Sequence, residues 1–184
     1  YSNTFRPEGG NEASSVMANT LRGVYGTDVL IAEGSSFTGS VLQADYTEKM
    51  AASMIMPNGL LAYRRTMTGA ELTETVRAFV EGSEDGFTPF NRGSLPTVSG
   101  IAIEVKEENG GFELTGVKRN GKTLQGDETV TVTCLATAKQ MAPLLADESR
   151  PFEGGETRVR DTWRAYAAGE NAALAEPEHY IRLR

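Results

Sequence analysis

Apolar positions along the first half of the chain fall into alternating helical and strand rhythms. From Asn11 they recur as Ala13, Val16, Met17, Leu21 and Val24, one face of a helix, with Asn11 as N-cap and Gly23 or Gly26 as stop. Asp28-Val29-Leu30-Ile31-Ala32 reads as a short buried strand. It runs into Glu33-Gly34-Ser35-Ser36-Phe37-Thr38-Gly39-Ser40, a loop of small hydroxyl and glycine residues that leaves backbone N–H groups accessible. Asp45 followed by Glu48 is a capping-box pattern opening a helix with Met50, Ala51 and Met54, and Pro57-Asn58-Gly59 then breaks the chain. Residues 60–67 read as a strand with Leu61, Tyr63 and Arg65 on one face. Thr68 with Glu71 is a second capping box, and Leu72, Val76, Phe79 and Val80 form the core stripe of a helix that Gly82 ends.

The second half is richer in strands. Ile101, Ile103 and Val105 alternate with Ala102, Glu104 and Lys106, which predicts one dry and one wet face. The turn Asn109-Gly110-Gly111 leads into residues 112–117, and Arg119-Asn120-Gly121-Lys122 is a tight hairpin signal. Val130, Val132 and Cys134 alternate with Thr129, Thr131 and Thr133, another half-buried strand in which Cys134 is a small core residue. Residues 136–145 read as helical up to Pro143. Residues 157–169 carry Val159, Trp163, Tyr166 and Ala167 on one stripe, an amphipathic helix packed on the body. Residues 1–10 are a polar, extended lead-in or linker, and 11–184 contain no repeat or low-complexity linker. The pattern predicts one α+β domain, a mixed β-sheet packed with helices.

Composition narrows the chemistry. With 184 residues, 39% hydrophobic and 23% charged, the chain is too balanced for disorder. The longest apolar stretch, residues 51–56, is interrupted by Ser53, and a membrane span needs about 18 residues. Eighteen Lys and Arg against 25 Asp and Glu give −7, with no basic run beyond Arg64-Arg65 and Lys118-Arg119, which disfavours nucleic acid. One cysteine excludes an intrachain disulfide and a multi-cysteine metal site. The single histidine, His179, cannot build a binuclear metal centre and reads as a surface residue of a C-terminal tail rather than a catalytic base. No phosphate-binding glycine loop is present. No catalytic residue and no metal ligand set is expected in this chain. Ser35 or Ser36 as nucleophile lacks a nearby general base. The chain opens at Tyr1, without Met or a signal segment, and reads as a trimmed or mature piece of something longer.

The order of these pieces resembles the C-terminal domain of the 5′-nucleotidase and UDP-sugar hydrolase family. The landmarks are the first helix and strand, the Gly-Ser loop, Pro57, Thr68-Gly69-Ala70-Glu71-Leu72, Thr97-Val98-Ser99-Gly100-Ile101, Asn120-Gly121-Lys122-Thr123-Leu124, and Arg160-Asp161-Thr162-Trp163-Arg164-Ala165-Tyr166. The resemblance implies a covalently linked N-terminal metallophosphoesterase domain that holds divalent metal ions and performs hydrolysis. It implies a nucleotide or phosphate-ester ligand for this domain, and an extracellular, cell-surface or periplasmic location.

Carried over by position, the pocket residues are Glu33, Gly34, Ser35, Ser36, Thr38 and Asn58. Three features of the family's pocket are replaced. Glu33 and Thr38 stand where the family's Asn-Gly-Gly-Gly-Ile-Arg loop has its Asn and Arg. Asn58 follows Pro57 where a stacking Phe belongs, and Leu135-Ala136-Thr137-Ala138-Lys139-Gln140 carries neither the second ring nor its Gly-Gly-Asp-Gly turn. A carboxylate near phosphate costs Coulomb energy, and a hydroxyl does not restore a bidentate guanidinium. Two functions follow as expectations: a substrate-recognition domain of a larger phosphoesterase, or a non-catalytic binding module that kept the scaffold. Phe37 is read as a plug folded inward. Alternation sends one of Arg64 and Arg65 inward, Lys139 is a surface lysine, and Trp163 is core.

Overall fold

The computed structural model describes residues 5–6, 10–33, 36–37, 53–56, 58–81, 95–108, 111–169, 172–176 and 181–183. Two short strands, β1 (Phe5–Arg6) and β2 (Gly10–Asn11), pair antiparallel ahead of helix α1 (Glu12–Tyr25). Ala13, Val16, Met17 and Leu21 form the buried stripe of α1, as the 3.6-residue spacing requires. The helix stops at Gly26 rather than Gly23, with the Gly26 N–H on the Gly23 carbonyl at 3.1 Å and the Thr27 N–H on the Arg22 carbonyl at 3.3 Å.

Strand β3 (Val29–Ala32) is buried on both faces. Strand β4 (Leu61–Thr68) ends in the expected capping box: the Glu71 N–H donates to Thr68 Oγ1 at 3.3 Å and the Thr68 N–H to Glu71 Oε2 at 2.7 Å. Helix α2 (Gly69–Glu81) follows, with Leu72, Val76, Phe79 and Val80 buried. Then come β5 (Thr97–Ser99), β6 (Ala102–Glu108), β7 (Gly111–Arg119), β8 (Lys122–Thr123) and β9 (Thr129–Ala136). Asn120 (φ 51°) and Gly121 (φ 76°) close the β7–β8 hairpin in the left-handed pair that a two-residue turn demands. Helix α3 (Ala138–Leu145), strand β10 (Glu153–Arg158), helix α4 (Val159–Ala167) and strand β11 (Ile181–Leu183) complete the chain. The expected Asp45–Glu48 capping box and the Gly82 stop lie outside the described residues, as does His179.

Five strands form one sheet in the order β10-β4-β9-β3-β5. Only β3 and β9 run parallel, from Val29↔Val132 to Ala32↔Leu135. On one face, Val29, Ile31, Tyr63, Met67, Val130, Val132 and Cys134 pack against α2 and a second sheet. That second sheet has the order β11-β6-β7-β8, with β11 parallel to β6. On the other face, Leu30, Ala32 and Leu135 pack beneath α1 and α4, where Val159 and Trp163 are buried. The architecture is α+β, as the sequence predicts.

Several details correct the sequence reading. Residues 153–158 form an edge strand, so the last helix starts at Val159 and not at Thr157. Helix α3 continues past Pro143. Its first turn is held by Thr137, and one lost N–H bond is tolerated in so short a helix. Glu104 is not on a wet face: it is 5% exposed, ion-paired to Lys118 Nζ at 2.8 Å, with Gly116 opposite leaving room for its carboxyl. The C-terminal tail supplies β11.

Candidate functional site

Because β3 and β9 are parallel neighbours, the segments leaving their C-terminal ends emerge side by side. Glu33 follows β3 and Thr137 follows β9. Thr137 caps α3 through a reciprocal box: Thr137 Oγ1 accepts the Gln140 N–H at 3.3 Å, and Gln140 Oε1 accepts the Thr137 N–H at 2.8 Å and its hydroxyl at 2.9 Å. With its carbonyl end fixed, the Gln140 amide aims Nε2 at Glu33 Oε2, 2.8 Å away. Glu33 is half-buried and has no ion-pair partner among the described residues. A carboxylate is thus built into this strand end and held by a neutral donor. An oxyanion 4 Å from it would be opposed by about 4 kcal/mol per unit charge at an effective dielectric near 20.

Beyond Glu33 the chain turns back. The Ser36 N–H donates to the Glu33 carbonyl and the Met56 N–H to the Ser36 carbonyl, both at 2.9 Å, and Phe37 bridges Ile55 in antiparallel fashion. Phe37 is 4% exposed and packs with Leu60, Trp163 and α1, so it is a plug, as expected, and no ring is offered to a ligand by it. Ser36 is fully buried, and its hydroxyl has no hydrogen-bond partner among the described residues. Asn58 lies two residues past Met56 in an exposed turn. Gly34, Ser35, Thr38 and Pro57 lie outside the described residues. The structure therefore joins Glu33 and Ser36 in one turn and leaves Asn58 at its periphery.

Two residues of this corner escape the sequence reading. Gln140 figures there only within a run lacking the family's ring, although its spacing from Thr137 is a capping-box signal. Arg160, in the first turn of α4, donates from Nη2 to the Ile55 carbonyl at 3.1 Å, while the Val159 N–H reaches the Leu60 carbonyl at 3.0 Å. Together they pin the returning segment to the helix. No group of three His, Cys, Asp or Glu side chains that could hold a metal ion occurs among the described residues. Burial pushes the Cys134 thiol up to about 12, which the Arg65 charge only slightly opposes, so this thiol is no nucleophile at neutral pH.

No protein-family model and no curated protein sequence matches the chain. Solved structures do. The NAD nucleotidase of Haemophilus influenzae superposes with a TM-score of 0.69 at 16% identity, over 96% of this chain and 33% of that one. A 5′-nucleotidase precursor from Thermus thermophilus gives 0.66 at 13% identity, over 94% and 35%. The sulfate thiohydrolase SoxB of Thermus thermophilus gives 0.56 at 11%, over 94% and 32%. The chain thus has the fold found in 5′-nucleotidase structures and spans about a third of their length. No helix among the described residues is long and apolar enough to cross a membrane.

Proposed function

We propose that this chain is the substrate-recognition-type domain of a longer 5′-nucleotidase-like phosphoesterase, with no catalytic centre of its own. Hydrolysis of a phosphate ester or nucleotide then belongs to an N-terminal domain holding divalent metal ions, and the protein works outside the cell, at its surface or in the periplasm. The observation that carries this reading is the fold match: nearly all of this chain, against about a third of each nucleotidase. A chain with a single histidine suits the recognition half of such a division of labour.

Within that role the strand-end corner is a poor phosphate site. Glu33 faces it with a carboxylate, held by Gln140 in place of a cation. Phe37 is turned inward. Ordinary nucleoside monophosphates therefore bind weakly or not at all, and adenosine monophosphate with micromolar affinity and base stacking would contradict this. The same two observations favour a second reading, a non-catalytic extracellular binding module that kept the scaffold. The fold alone does not choose a substrate, since it also occurs in a protein named as a sulfate thiohydrolase.

The test is a phosphatase assay with manganese or zinc, run on this chain alone and on the longer protein encoded with the coding sequence upstream of Tyr1. Hydrolysis by the longer protein and none by this chain is expected, with Asp-x-His and Gly-Asn-His-Glu motifs in the upstream part. Turnover by this chain after removal of contaminants would overturn the proposal. An upstream sequence without those motifs would select the binding-module reading.

A further inference from the structure

A second polar hollow lies on the sheet itself, away from the strand ends. Strand β10 pairs with β4 from Glu153↔Arg64, which sets residue 151 opposite Thr66. Residue 151 is Pro, which has no N–H to continue a ladder, and the edge of β4 opens there. The result is a cleft of about 240 Å³ lined by Thr27, Arg64, Arg65, Thr66, Thr131 and Glu153, beside Pro151 and Val132. By volume it holds roughly eight waters.

Arg22, Arg65, Arg77, Arg119, Arg150, Arg160 and Arg164 each bond or pair with another described residue. Two exposed arginines, Arg64 and Arg158, do not, and of these only Arg64 lines the cleft; nor does the exposed Glu153, which register sets directly opposite Arg64 on the neighbouring strand. Directly opposed residues have Cβ atoms about 5 Å apart, within easy reach of an ion pair. None forms here, so a guanidinium and a carboxylate flank the same hollow unneutralised by any described residue. The hydroxyls add direction. Thr27 Oγ1 accepts from Thr133 Oγ1 at 3.1 Å, which leaves its own proton to give. The Thr131 hydroxyl is spent on Asp28 Oδ2 at 2.8 Å.

We propose that this cleft binds a small zwitterion, an α-amino acid with a short polar side chain, Arg64 taking its carboxylate and Glu153 its ammonium group. A simple anion would be drawn by Arg64 and repelled by Glu153, and a simple cation the reverse. A ligand carrying both charges satisfies both walls and fits the volume. The inference is independent of the phosphoesterase reading, because the cleft shares no residue with the Glu33 corner.

The experiment is an amide-resolved NMR titration of this chain with L-serine, beside acetate, ethylammonium and inorganic phosphate. Saturable shifts centred on Thr27, Thr66 and Thr131 are expected with L-serine, and affinities at least tenfold weaker for the three singly featured ions. Arg64→Ala and Glu153→Gln should each weaken L-serine at least tenfold, while Arg158→Ala, on the same strand outside the cleft, leaves it unchanged. Phosphate or acetate binding as tightly as L-serine overturns the proposal, as does the absence of saturable L-serine shifts or their persistence in Arg64→Ala. Should a variant fail to fold, the ranking of the four probes on the unaltered chain decides.

Discussion

At Gly155 a single missing Cβ lets the edge strand lie on the Tyr63 ring. A methyl group there would stand 2.5 Å from Tyr63 Cε1, and the backbone sits at φ +83°, which L side chains avoid. Gly155→Ala is therefore expected to cost about 1–3 kcal/mol, read as a lowered midpoint in urea unfolding. Asp28 makes a second residue-scale prediction. The Thr131 amide and then the Thr131 hydroxyl hold its carboxyl below the usual range; burial pulls the other way, and Arg119 and Arg22 assist. Because the folded pKa is depressed, the unfolded chain takes up the proton first. The stabilisation is complete above the ordinary value of 3.8 and is lost as pH falls through the folded one. Urea unfolding at pH 7 and pH 3 should show a smaller acid loss in Asp28→Asn than in the unaltered chain; equal losses would show the carboxylate to be a bystander. Side-chain fates are legible in the sequence where strand alternation or a helical stripe sets them, as for Cys134 and Trp163 respectively, both buried. They are not legible for Glu104, whose burial depends on Lys118 and Gly116 of another strand.

Among the elements, α3 shows how a local signal becomes part of a site. Its cap box fixes Gln140, and Gln140 fixes Glu33. Gln140→Ala removes the two bonds that Thr137 gives its carbonyl and the one it gives Glu33, and leaves a half-buried carboxylate without that donor. A loss of roughly 1–2 kcal/mol is expected in chemical denaturation. Thr137→Ala, which removes only the capping hydroxyl, should cost less. If both variants cost the same, the Gln140–Glu33 bond contributes nothing beyond the cap. The elements that read best from sequence are those with a local stop or start: the Thr68–Glu71 box, the Asn120-Gly121 turn and the stripe of α1. Strand β10 is not legible. Its sequence, Glu-Gly-Gly-Glu-Thr-Arg, has no alternation and little β-branched content, and it is a strand because the β4 edge offers a ladder and Gly154 and Gly155 let it approach. Of the pocket positions, Glu33 is legible as a charge, while its hold by Gln140 needs the parallel pairing of β3 with β9 to bring residues 107 apart in sequence together.

For the whole molecule, the two sheets are tied by long returns of the chain, and the last is the most exposed to test. After α4 the chain runs back along α1, where the Ala175 N–H reaches Thr20 Oγ1 at 3.0 Å and Asn19 Nδ2 the Glu176 carbonyl at 2.9 Å. It then adds β11 to the second sheet, with Ile181↔Ile103 and Leu183↔Val105 in register and Ile181 only 2% exposed. Ending the chain after Glu176 keeps the contacts on α1 and removes that strand. The lost burial of Ile181 is worth roughly 1.5–3 kcal/mol, and a chain this size loses about 2–4 °C of Tm per kcal/mol. The truncation also bares the edge of β6, and an unpaired edge over a hydrophobic face recruits other strands. The shortened chain should therefore melt roughly 3–12 °C lower and associate with itself at concentrations where the full chain does not, read by calorimetry and by light scattering. A shortened chain that melts at the same temperature and stays monomeric would mean that β6 closes the second sheet unaided and that the returning tail carries no part of the core.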